Sequence, residues 1–83
     1  VIKNKILSMW TIYFNPADFP GRFVARRFVV MNGISGSTND AAHSETKGGV
    51  IAWIKEDALR FGVVPVRLSR EPGDDPVIVE TWI

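Results

Sequence analysis

Six of the ten basic residues in this chain are arginines: Arg22, Arg26, Arg27, Arg60, Arg67 and Arg70. Arg26 and Arg27 are adjacent inside the β-like run RFVARRFVVM, so they point to opposite faces of a strand. One of the two therefore lies on a face that packs against a helix or a partner, and a guanidinium there needs an anion. Glu80, inside the last apolar segment, is the natural candidate, giving a structural Arg–Glu cross-strand pair. The sharper reading is a concave anion site. In it Arg26, Arg27, Arg67 and Arg70, with Glu80 nearby and Trp10 and Trp82 as walls, bind a carboxylate or phosphate bidentately. The two readings separate on whether the arginines converge on a cavity or each meet a carboxylate.

Other groups that could do chemistry are weaker. His43 is the sole histidine; Asp40 and Glu45 flank it, but in a glycine-rich stretch, and a satisfied or solvated imidazole is favoured over a ligand. Ser35 and Ser37 lack nucleophile-elbow spacing, and Gly33-x-x-Gly36 lacks the lysine of a phosphate loop. Asp74 and Asp75, beside Glu71, lie in a Pro-Gly turn cluster, where aspartates bond backbone N–H groups more readily than they split their pKa values. RFVARRF interleaves basic and aromatic residues as a single-strand nucleic-acid platform would, but the near-neutral charge disfavours that partner. No cysteine is present, which excludes thiolate chemistry and disulfides. No spacing joins Tyr13, His43, Glu80 and the aspartates into an acid–base set, so the reading is against an enzyme and expects no cofactor and no metal.

The elements that would position these groups follow from periodicity. Met9–Phe14 reads as a strand with Trp10, Ile12 and Phe14 on one face. Asn15–Gly21 is an irregular connection. Arg22–Met31 is a strand with apolar residues on both faces, hence central. Residues 33–49 form a long Gly/Ser-rich loop, mobile or functional, or in part a second hairpin. Val50–Phe61 reads as the one helix, with Gly62 as its cap, although Val50–Ile54 could be a short strand. Asp57 at the edge of its apolar stripe and Leu59 opposite that stripe spoil the pattern. Val63–Ser69 is a short or edge strand because of Pro65, and Val77–Ile83 is a final strand. The sum is an α+β domain: about four mostly antiparallel strands in the order β-β-α-β-β, with one helix on one face.

Eighty-three residues allow one domain, and one that buries only about 60–65% of its unfolded surface. Apolar residues at 46% and charges at 23% fit a folded globule. Residues 1–8 read as an N-terminal extension, native or not, before a domain at 9–83. The net charge is +1 overall but −1 from Met9 onward, so charge argues for no partner. No stretch approaches the roughly 20 apolar residues of a membrane span, and the expected location is the cytoplasm.

Two segments carry a signature, MWTIYFNPADFPGRFVARRF at 9–28 and RLSREPGDDPVIVETWI at 67–83, together about 45% of the chain. Trp10, Thr11, Tyr13, Pro16, Asp18, Pro20, Phe23, Val24 and Arg26, then Arg70, Pro72, Asp74, Asp75, Pro76, Glu80 and Trp82, resemble a group of short uncharacterised bacterial proteins. These are similar to products of mobile, integron-type gene cassettes. The resemblance implies a small, often oligomeric protein and brings no activity with it. The expected function is a homo-oligomeric binding or accessory protein without catalysis. The alternative is a small enzyme or anion binder with an Arg/Trp-lined pocket between subunits.

Overall fold

The computed structural model describes residues 6–70, 72–73 and 76–83. It is an α+β domain with elements β1 (Ile6–Phe14), β2 (Phe23–Met31), β3 (Ile34–Ser44), α1 (Lys47–Leu59), β4 (Arg67–Ser69) and β5 (Ile78–Trp82). The sheet order is β3-β2-β1-β5-β4, and every neighbouring pair is antiparallel. The order is thus β-β-β-α-β-β, one strand more than the periodicity predicts.

The extra strand occupies most of the expected loop at 33–49. Asn32 and Gly33 both take positive φ (53° and 78°), the two-residue hairpin turn that matches strand twist. Small polar residues then pair with β2, from Met31↔Ile34 to Phe23↔Ser44, with one register shift between Arg26 and Phe28. The residues of β3 bring little apolar area; they are recruited because β2 offers an open ladder. The same logic extends β1 to Ile6, which pairs with Met31, so residues 6–8 belong to the sheet and not to an extension.

The helix starts three residues earlier than its apolar stripe. Thr46 caps it by accepting a hydrogen bond from Gly49 N at 3.1 Å. A Cβ on Gly49 would come within 2.8 Å of Ser44 Cβ, so glycine permits the close passage of β3 into α1. At the other end Gly62 (φ 66°) closes a Schellman turn, with Gly62 N donating to Leu59 O and Val63 N to Ala58 O.

α1 covers one face of the sheet. Val50, Ile54 and Ala58 pack on Trp10, Ile12 and Ala25, all essentially fully buried, with Trp53, Val79 and Trp82 at the margin. Cross-strand register then assigns every other residue. The helix-side face carries Trp10, Ile12, Ala25, Arg27, Val29, Glu80, Trp82 and Arg67. The opposite, back face carries Leu7, Met9, Thr11, Tyr13, Val24, Arg26, Phe28, Val30, Leu68, Thr81 and Ile78. A bulge between Ile12 and Tyr13 shifts the β5 register, so Ile78 does not share a face with Trp82 as strict alternation predicts.

Candidate functional site

Arg26 and Arg27 do point to opposite faces, and neither meets Glu80. Arg27 lies on the helix side with its side chain 13% exposed, and its Nε donates to Asp40 Oδ2 at 2.7 Å. Asp57, from the last turn of α1, is buried beside it at 3.8 Å. Asp57 accepts from Trp10 Nε1 at 3.0 Å and from Arg60 Nη1 at 2.6 Å. Phe61 lies with its ring centroid 4.3 Å from the Arg27 guanidinium carbon and 5.2 Å from that of Arg60. Two cations and two carboxylates thus compensate one another where α1, β2 and β3 meet. The Arg27 hydrogen bond, with Arg60 beside it, outweighs burial and holds the Asp40 carboxyl below its ordinary value.

Glu80, 2% exposed, has its own partners. Lys47 Nζ lies at 2.9 Å, Arg67 Nη1 at 3.5 Å, and Trp82 Nε1 donates to it at 3.0 Å. Burial pushes the Glu80 carboxyl up, but the hydrogen bonds from Lys47 and Trp82 together with the cationic partners outweigh it and hold the group below the usual range. The sequence pointed to Glu80 as a structural pair member and named the wrong cations, because only the fold shows that α1 delivers Lys47 there. Arg26 is on the back face and pairs with Asp18 of the β1–β2 connection at 2.9 Å. Arg70 is exposed after β4. Among the sequence-selected residues, Arg67, Glu80 and Trp82 come together, and Trp10 lies beside Arg27 and opposite Trp82. Arg26 stands apart from both groups. Asp74, Asp75 and Glu71 lie outside the described residues.

His43 is exposed, stacks on Phe19 with centroids 4.5 Å apart, and accepts a hydrogen bond from Arg22 Nε at 3.0 Å. The described residues contain no group of three side chains suited to a metal ion. Asp57 was the residue that sequence reasoning undervalued. Its mismatch with the apolar stripe was visible, and so was a surplus of nearby arginine.

Two surfaces remain unpaired. The first is the back face. Half-buried Met9, Phe28 and Val30 continue into exposed Leu7 (51%), while Thr11, 5% exposed, and Thr81 separate them from exposed Leu68 (43%). Among the described residues, the charged side chains at this face include Arg26, engaged by Asp18, and, at the β3 edge, Arg22, which donates to His43 and lies 3.7 Å from Glu45. The β1–β2 connection covers one end, where Phe19 lies over His43 beside buried Val24. The second surface is a groove of about 970 Å³ where β1 and β2 run on past the end of α1. Its walls include Ile6, Val29, Phe61, Val63, Val66 and Ile83, and among the described residues its polar lining is Ser8 and Arg27.

No helix among the described residues is long and apolar enough to cross a membrane. Comparison of the chain with protein-family models, curated proteins and solved structures finds no match to any of them.

Proposed function

We propose that the protein is a self-associating binding or accessory module without catalytic activity, and that the back face of its sheet receives a second copy of the chain. One observation carries this reading: the sheet face that the single helix does not cover presents half-buried Met9, Phe28 and Val30 beside exposed Leu7, with Arg26 already compensated by Asp18. An antiparallel sheet that faces water normally alternates to polar residues on that side. Contiguous bare apolar patches are rare on monomers. The face is about 24 Å across five strands and about 30 Å along β1 and β2. That suits the roughly 800 Å² per partner of a standard interface, with sheets stacked as in a sandwich.

The arginines support the non-catalytic half of the reading. Arg26, Arg27 and Arg67 each meet a carboxylate and do not converge on a common cavity. Asp40 and Glu80, held below their ordinary values, are poorly suited to exchange protons near neutral pH.

Sedimentation equilibrium at micromolar concentration tests the proposal. The wild type should sediment as a dimer or larger assembly, and Phe28→Asp should sediment near 9.3 kDa while keeping its far-ultraviolet circular dichroism. A folded wild-type monomer, or an assembly indifferent to Phe28→Asp, would overturn it.

A further inference from the structure

The groove at the end of α1 has a feature that its apolar walls do not explain. Ser8 and Arg27 sit side by side on the helix-side face, and Arg27 Nη1 donates to Ser8 Oγ at 3.3 Å. The Arg27 Nε proton is taken by Asp40, and Phe61 covers the guanidinium face. Among the described residues, the Ser8 hydroxyl proton and the Arg27 Nη2 protons have no acceptor. The polar end of the groove thus offers free donors, with a single remaining lone pair on Ser8 Oγ as acceptor, while Ile6, Val29, Phe61 and Val63 supply an apolar wall. At about 970 Å³ the groove is at the upper end of the range for small-molecule sites, and a few convergent polar groups in an apolar cleft are the usual pattern of such sites.

We infer that this groove binds a small amphipathic molecule with an apolar body and a terminal oxygen-acceptor head, of the class of a medium-chain carboxylic acid or alcohol. The head accepts from Ser8 Oγ and Arg27 Nη2, and the chain lies along Ile6, Val29, Phe61 and Val63. A head that only donates, such as an alkylammonium, would find one Ser8 lone pair beside a guanidinium and bind more weakly. Because Asp40 and Asp57 already balance Arg27 and Arg60, the site selects for acceptors more than for charge. The inference goes beyond self-association and does not rest on it: the head group is held by helix-side Ser8 and Arg27, although Leu7, Met9 and Val30 of the back face also line the groove.

The test is calorimetric titration of the full chain with decanoic acid, decanol and decylamine at pH 8, each below its micelle-forming concentration. Decanoate and decanol should bind saturably, and decylamine at least tenfold more weakly. Ser8→Ala should weaken decanoate and decanol about tenfold, consistent with a hydrogen bond lost from a mostly apolar site. Val63→Trp, which fills the groove without touching the ion pairs, should abolish binding. Equal affinity for decylamine and decanoate would overturn the inference, as would no saturable binding to the wild type or binding that survives Val63→Trp. If no ligand binds and Val63→Trp instead changes the sedimentation of the chain, the groove belongs to a second copy and the inference is wrong. Loss of binding with wild-type sedimentation separates failure of this site from failure of the back-face interface.

Discussion

The two faces of one sheet solve the problem of charge in opposite ways. On the helix side, Arg27, Asp40, Asp57 and Arg60 form one compensated group, and Lys47, Glu80 and Arg67 form another. Each lies where α1 meets strands, so the charges fix the docking of the helix. On the back face Arg26 is clipped to a loop aspartate and Arg22 to His43 at the edge, while the middle carries Met9, Phe28 and Val30 among the hydroxyls of Thr11, Thr81, Ser35 and Ser37. Ionic groups were spent where the chain packs on itself and withheld where it does not. That difference is what the proposed self-association would use.

The first way to break the comparison is to remove its buried anchor. Asp57→Ala leaves Arg27 and Arg60 short of a carboxylate and strands the Trp10 indole N–H in the core. We expect a loss of about 3 kcal/mol, seen as a Tm lower by on the order of 10–20 °C. Arg26→Met, on the other face, removes a pair whose side chains are 39% and 56% exposed and should cost less than about 1 kcal/mol. Equal losses from the two variants would erase the distinction between the faces.

A milder probe is acid. Asp40 and Glu80 titrate below their unfolded values of 3.8 and 4.5, so the stability they contribute is complete above the unfolded values and is lost as pH falls through the folded ones. Chemical denaturation between pH 7 and 3 should show stability falling mainly below about pH 4. Replacing Lys47 with Met should weaken that acid dependence, because Glu80 then loses its shortest cation contact. A profile unchanged by Lys47→Met would mean that Lys47 does little to hold Glu80 ionised.

How much of this was legible beforehand depends on what each residue had to say alone. β1, β2 and β5 announce themselves by β-branched and aromatic runs, and the opposed directions of Arg26 and Arg27 follow from strand period. β3 does not, because residues such as Ser35, Ser37, Thr38 and Asn39 carry no apolar signal, and only the Asn32-Gly33 turn betrays it. The helix start is hidden by Gly48 and Gly49, of which the close passage past Ser44 explains Gly49 alone. Leu59, which marred the helical stripe, is 75% exposed in the fold, and Asp57, which marred it too, is 3% exposed. The ion-pair partners could not be read, because they depend on which side chains α1 delivers to the sheet. The groove could not be read either, since it exists only where two strands outrun one helix.

The central claim is that a second copy sits on the back face, and the most direct measurement is an isotope-filtered nuclear Overhauser experiment on a mixture of labelled and unlabelled chains. Intermolecular contacts should appear at the methyl groups of Met9, Val30 and Leu68 and at the Phe28 ring, and be absent from Ala52 and Leu59 on the outer side of α1. Contacts confined to α1, or none at concentrations where the chain is folded, would contradict the account.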